Sequence, residues 1–584
     1  MVTLVCCNWK CIGFATLFTL LVASCIFLDI PLFHDSRLMS KWFGCYATVL
    51  ALSASLFWWS SARYISIRIT DLAVLAFVAY IFIIDYCKGD LSETVLLRGA
   101  SLLLLYLIFR QSIGEEWLNL CLAVCLAVCF ALAVILAVWG IVQFVCAVVE
   151  GNPLPTVVAG NFDNPAGFAL TLSLSLPIGI HLLGLPQRFV SQQLCIAVAL
   201  SIVILALGLS LSRTGWLSLL CTSVYVFYIW GRHSRRWVGL IMGVAVLIVV
   251  VCCFYKQDST EGRSFVALCT WQQIVDAPWW GHGRYGFSAE YMDYQAAYLS
   301  LHPDSRFAWL ADNIHHPFNE WLYLLVRYGI VGLSLLIGIL LCLIPAIKRE
   351  VAEKSILPVG LLVAILPFTL FSYPLHYPLA WVMLLLSIGM LGRRTKEIFH
   401  VSAKQIIPAL SLLFACGIAP LLYCTIRAEQ EWYDVATRSL SGQTRYVMPR
   451  YEELYQRLKH SPHFLYNYAA ELNYIGEYMC SQHILDKCMQ RMNDYDTHLL
   501  AASNHEHMGN YGQAESLLRQ ASAMCPIRFI PLYQLVKIYG KMGRSDDQCR
   551  MAQQIMDKEV KIPSQRIAEM KDEMRYILEE TDFK

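Results

Sequence analysis

The sequence predicts an all-α, polytopic membrane protein of about 12 to 13 transmembrane helices followed by a soluble helical-repeat domain. Three observations carry this reading: pervasive apolarity, recurrent apolar runs of spanning length, and evenly spaced glycines in a polar C-terminal stretch. Of 584 residues, 57% are hydrophobic and only 15% charged, with a mean hydropathy of +0.51, well outside the soluble globular mixture.

A helix needs about 20 apolar residues to cross about 30 Å of hydrocarbon. Runs of this kind recur near 12–33, 43–60, 70–87, 95–110, 119–149, 166–185, 193–211, 214–230, 236–255, 319–346, 356–372, 376–392 and 404–424. The first run follows Lys10, and no small-residue cleavage site follows Leu28, Asp29, Ile30 and Pro31, so it reads as a retained anchor. Basic residues then cluster in alternate connections: Arg63 and Arg68, Arg110, Arg188, Arg232 with Arg235 and Arg236, Lys348 with Arg349 and Lys354, and Arg393 with Arg394 and Lys396. The positive-inside rule makes these cytoplasmic, with the N-terminus. Loops 150–165, 256–318 and 373–378 then face outwards, and an odd number of spans leaves the C-terminal domain outside. Arg37 and Lys41 run against this assignment.

The net charge of +2 and the lack of a clustered basic surface give no sign of a nucleic-acid partner. Most of the 22 cysteines lie in apolar runs, where they read as small apolar filler. Cys480, Cys488, Cys525 and Cys549 are even in number, so an oxidising compartment would allow disulfides there, with no pairing set by the spacing.

The boundary falls at 424/425, giving a membrane domain over 1–424, with the large loop 256–318, and a helical-repeat domain over 425–584. Three segments of the latter, ELNYIGEYMCSQHIL, SNHEHMGNYGQAESLL and KIYGKMGRSDDQC, place Gly476, Gly509 and Gly543 at spacings of 33 and 34 residues. This is close to the tetratricopeptide period of about 34. Gly509, Ala514, Ala521 and Pro526 fit the small-residue and breaker positions, and such repeats build a concave surface suited to a protein or peptide.

Polar residues gather at the predicted outer mouth. In DNIHHPFNEWLYLLVRYGIVG, residues 312–332, Pro317 suits the first position of a helix, making His316 its cap. The helix dipole disfavours imidazolium there, leaving a neutral ring able to accept a proton. Asn319 and Glu320 would share its face, and Asp312 would hold the other ring nitrogen. Arg213, in LGLSLSRTGWLSLL, is a charge at the membrane surface whose fork suits phosphate oxygens. Arg263 and Arg284 lie in the large loop, where GHGRYG signals a tight turn or close backbone approach. GNFDNPAGFAL places Asn161, Asp163 and Asn164 at another outer mouth, and FSYPLHYP carries His376 in a short hairpin.

Together GNFDNPAGFAL, SRTGW, GRSFVALCTWQQIVDAPWWGHGRYGF and HHPFNEWLYLLVRYGIVG resemble, in order and over roughly residues 130–345, the bacterial O-antigen ligase family, which includes protein O-oligosaccharyltransferases and O-antigen polymerases. The resemblance implies a GT-C-like, inverting, metal- and cofactor-independent glycosyltransferase of the bacterial inner membrane. Its implied donor is an undecaprenyl diphosphate-linked glycan, and its implied acceptor is a hydroxyl on the periplasmic face, of lipid A-core first, of a protein or a growing glycan otherwise. By motif, Arg213 and Arg263, with Arg284 as a further candidate, would grip the diphosphate; His316 would be the base. Many relatives place a histidine directly before the asparagine matching Asn319, where this chain has Phe318, so His315 stays eligible beside His316. A lipid-linked glycan transporter is the alternative of a different class; the charges at the outer mouth and the lack of internal sequence symmetry disfavour it.

Overall fold

A computed structural model describes residues 9–59, 64–112, 116–151, 158–185, 189–230, 257–402 and 406–582. The expected span 236–255 and the basic residues Arg63, Arg188, Arg232, Arg235 and Arg236 lie outside them. The other twelve apolar runs all fall on helices. In chain order these are α1 (Trp9–Phe27), α2 (Ser36–Trp59), then strand β1 (Tyr64–Arg68), α3 (Ile69–Cys87), α4 (Glu93–Ser112), α5 (Glu116–Val149), α6 (Pro165–Leu183), α7 (Val190–Leu209) and α8 (Arg213–Trp230). The loop region forms α9 (Gln257–Asp276), α10 (Gly286–Leu301) and the short α11 (Phe307–Leu310). Then come α12 (Glu320–Ala352), α13 (Leu357–Phe371), α14 (Pro378–Gly392), strand β2 (Glu397–Ser402) and α15 (Ile406–Arg438). Among the described residues, six helical stretches are long and apolar enough to cross a membrane, and three further apolar helices are shorter. The protein is an all-α, multi-pass membrane protein.

The tail continues as α16 (Thr444–Leu458), α17 (Pro462–Tyr474), α18 (Tyr478–Met489), α19 (Tyr495–His507), α20 (Tyr511–Met524), α21 (Ile530–Lys541), α22 (Ser545–Asp557) and α23 (Gln565–Asp582). Helices α17/α18, α19/α20 and α21/α22 pack as successive hairpins. Gly476, Gly509 and Gly543 stand at their turns with φ of 90°, 78° and 69°, a left-handed conformation that other residues adopt at a cost, which explains the 33- and 34-residue spacing. Leu518, Leu535, Val536, Tyr539, Ile555 and Met574 are buried between the last helices, each apolar side chain contributing about 1.5–3 kcal/mol. Cys480, Cys488, Cys525 and Cys549 are all free thiols.

Two compact units emerge: Met1–Tyr255 with Phe318–Trp321 and Val331–Gln430, and Lys256–Pro317 with Leu322–Ile330 and Glu431–Lys584. The loop drawn with the membrane domain by the sequence thus packs with the C-terminal helices. Polar side chains explain why. Asp293 accepts from Asn493 (2.9 Å) and Gln520 (2.6 Å), Gln295 donates to the Met524 carbonyl (2.7 Å), and Ser288 donates to the Arg491 carbonyl (2.6 Å).

In the first unit, one core joins Phe14, Phe18 and Leu21 of α1 to Leu105 and Phe109 of α4, Leu136 of α5 and Leu172 of α6. Where both surroundings are apolar, polar links between helices add cohesion: Ser218 of α8 donates to the Ala364 carbonyl and Ser387 of α14 to that of Pro358, both at 2.6 Å. Two basic residues used for topology prove structural. Arg110 is 1% exposed and donates to Asp71 (3.2 Å), which also accepts from Tyr106 (2.6 Å). Lys41 is equally buried and donates to the carbonyls of Arg37 (3.0 Å) and Asn161 (2.6 Å). The sequence reading also missed that β1 and β2 pair antiparallel, Tyr64 opposite Ser402, with an irregularity at Ile67/Arg68.

Candidate functional site

Two of the loops singled out in the first unit, at 163–164 and 319–320, meet residues 370–377. Asn164 caps α6, its carbonyl oxygen accepting from the amides of Ala166 (2.8 Å) and Gly167 (3.1 Å). Its side-chain amide donates to the hydroxyls of Tyr373 (2.6 Å) and Tyr377 (2.9 Å), and Tyr377 donates to Asp163 (2.6 Å). His376 ends a 3₁₀ turn, with ring centroids 5.7 Å from Tyr373 and 5.3 Å from Tyr377. Glu320 accepts from the Leu375 amide (2.9 Å), and Asn319 donates to the Leu370 carbonyl (3.0 Å). Arg98, which the sequence did not single out, donates to the Leu375 carbonyl (2.9 Å) and lies over the Trp42 ring (4.0 Å). Asn161 instead holds the end of α1, donating to the Phe27 carbonyl (3.1 Å). Carboxylate, amide, phenol and imidazole groups set among aromatic rings suit hydroxyl-rich ligands.

Arg213 is the first residue of α8, behind Ser212, whose hydroxyl accepts from Gly215 (3.3 Å). A helix N-terminus and a guanidinium each favour an anion.

The histidine loop departs from the sequence expectation. Helix α12 begins at Glu320, and Asn319 caps it by accepting from the Trp321 amide (2.9 Å). Phe318 adopts φ +53°, which breaks any helical continuation from Pro317. His316 is therefore not the cap, and Asn319 and Glu320 do not share a helical face with it. Its ring stands edge-on to Tyr323 at 5.9 Å. Asp312 does not serve a histidine as expected; its Oδ1 accepts from Arg528 Nη2 (2.6 Å) and Nε (3.2 Å).

Within the second unit, Asp312, Asn313 and His315 meet the C-terminal hairpins. Asn313 donates to Asp496 (3.1 Å) and Asp494 (3.4 Å), and His315 Nδ1 lies 4.0 Å from Asp494 Oδ2. Burial first, then the neighbouring Asp494 carboxylate, raise the Asp496 pKa above its ordinary value. Nothing in the sequence links residues 181 to 216 apart, so Asp494, Asp496 and Arg528 were missed. Arg263 lies half-buried on α9, and Arg284 in the turn before α10.

That turn is locked by close backbone approach. Gly281 and Gly283 have φ of 71° and 91°, and the amides of His282 and Gly283 donate to the carbonyls of Val326 (2.7 Å) and Arg327 (3.0 Å). Opposite them, Gly329 breaks α12 with φ 63° and ψ −168°.

Residues 197–337 match the family model described as O-antigen ligase. No curated protein matches the chain.

Proposed function

We propose that this protein is a membrane glycosyltransferase of the O-antigen ligase type, moving a glycan from an undecaprenyl diphosphate carrier to an acceptor hydroxyl. The observation that carries this is the family match over 197–337, which encloses Arg213, Arg263, Arg284, Asp312, His315, His316, Asn319 and Glu320. In this reading Arg213 and Arg263 hold the diphosphate and stabilise its departing charge, with Arg284 a further candidate, a positioning and electrostatic role. His315 or His316 takes the proton of the attacking hydroxyl. Asp312, Asn319, Glu320, Asn161, Asn164 and His376 are supporting residues in this proposal, and the proposed reaction uses no metal.

The proposed acceptor is lipid A-core, and the proposed setting is the bacterial inner membrane with a cytoplasmic N-terminus and the loop 256–318 and C-terminal domain in the periplasm. Protein O-glycosylation is the second reading, favoured by the three hairpins, whose glycine spacing supports a tetratricopeptide-like surface for a protein partner. To test both, the purified protein is incubated with the undecaprenyl diphosphate-linked glycan and, separately, with lipid A-core, a peptide mixture or buffer, and the glycan is followed by mass. Transfer to lipid A-core supports the first reading and transfer to peptide the second. Intact donor in every tube, with the carrier shown to be competent, refutes both.

A further inference from the structure

We infer that Asp494, from the C-terminal helices, is a positioning residue for His315, and that His315 is the base. This rests on the glycosyltransferase reading and names the histidine and the group that orients it.

The two oxygens of the Asp494 carboxylate face different partners. Asp494 caps α19: its Oδ1 accepts from the Thr497 amide (3.0 Å), and its own amide donates to Thr497 Oγ1 (2.9 Å). With Oδ1 so engaged, Oδ2 accepts from Asn313 Nδ2 (3.4 Å) and also faces His315 Nδ1 at 4.0 Å, an ion-pair separation longer than a hydrogen bond. The Asp494 side chain is 6% exposed and that of His315 51%, so a buried, fixed carboxylate stands behind a ring that an acceptor can reach. The loop itself is clamped on the same elements: Asn313 donates to Asp494 and Asp496, Arg528 holds Asp312, and Gln295 donates to the Asp312 carbonyl (3.0 Å). The charged groups around His315 are thus Asp494 and Asp496 from α19, Arg528 from the connection before α21, and Asp312 and His316 from its own loop.

A carboxylate behind Nδ1 favours the tautomer with hydrogen on that nitrogen and leaves Nε2 to accept, the logic of carboxylate–histidine pairs in general. Apo separations of this kind commonly tighten when substrate binds. In the step, the proton of the acceptor hydroxyl passes to His315 Nε2, and its oxygen lone pair forms the bond to the anomeric carbon. The carbon–oxygen bond to the diphosphate breaks, and its electron pair leaves with the diphosphate.

The test uses the full chain in lipid nanodiscs with ¹⁵N-histidine, His315→Asn assigning the signal, and reads the tautomer of His315 beside the kinetics of transfer. Asp494→Asn keeps the cap, since asparagine caps as well as aspartate, but removes the charge. Thr497→Val weakens the same cap and leaves the carboxylate. Wild type is expected to show mainly the Nδ1–H form; Asp494→Asn loses that preference and drops kcat at least about tenfold, with KM for the donor within about twofold. Thr497→Val holds kcat within about twofold of wild type. An unchanged tautomer in Asp494→Asn, equal kcat losses in the two variants, or full transfer by His315→Asn overturns the inference. If wild type transfers to no acceptor, the glycosyltransferase reading falls, and the tautomer measurement still judges the pairing.

Discussion

Gly329→Ala should unlock the turn that carries Arg284. At φ 63° and ψ −168°, Gly329 occupies backbone space that is essentially reserved for glycine, and an alanine there costs about 1–3 kcal/mol in strain. An added Cβ would also sit 2.2 Å from the Trp279 carbonyl oxygen, so that backbone must retreat. Three hydrogen bonds tie the two strands of chain: His282 to Val326 (2.7 Å), Gly283 to Arg327 (3.0 Å) and Ile330 to Pro278 (2.8 Å). Weakening two of them at about 1 kcal/mol each brings the total to about 3–5 kcal/mol. Hydrogen exchange of peptides covering 278–283 and 326–330 reads this directly, since about 4 kcal/mol is about a thousandfold in local opening. Protection within about threefold of wild type would show that the close approach contributes little and refute the reasoning.

If Arg213 has its proposed role, Arg213→Ala should reduce glycan transfer at least about a hundredfold while the protein still inserts, because a group that stabilises developing charge contributes about 3 kcal/mol; near-normal transfer would remove it from the site. Asp71→Asn leaves Arg110 buried without its counter-charge and should cost about 3–5 kcal/mol, seen as a large fall in the melting temperature; an unchanged melt would contradict this. Burial lowers Lys558 from 10.5 to about 8 while it donates to the Arg528 carbonyl (2.7 Å). Between those pH values the unfolded chain binds more protons than the folded one, so stability should rise with pH from about 8 to 10.5, by about 2 kcal/mol after allowing for partial exposure. A urea midpoint that does not rise across this window, or that rises equally in Lys558→Met, would count against it.

What the sequence discloses follows from the range of the forces involved. Apolar runs must become helices in hydrocarbon, and a glycine every 33 to 34 residues marks a turn wherever it occurs, so both were legible locally. The cap of α12 was misread because Pro317 and Asn319 each signal a helix start, and only the positive φ of Phe318 chooses between them. Arg110 and Lys41 looked like surface charges because burial depends on Asp71 and on the Asn161 carbonyl, about 40 and 120 residues away. The strands β1 and β2 are 5 and 6 residues long, stable only through each other across more than 300 residues of chain. The polar contacts that fasten Asp293, Asn313 and Asp312 to the C-terminal helices have the same character: each partner alone reads as an exposed polar residue.

The most direct test of the central claim is the fate of the carrier. In a reaction with donor and an accepted hydroxyl, the account predicts free undecaprenyl diphosphate in an amount equal to the glycan transferred, with both products lost in Arg213→Ala. Intact donor under conditions where the carrier is competent, or release of the undecaprenyl monophosphate in place of the diphosphate, would contradict it.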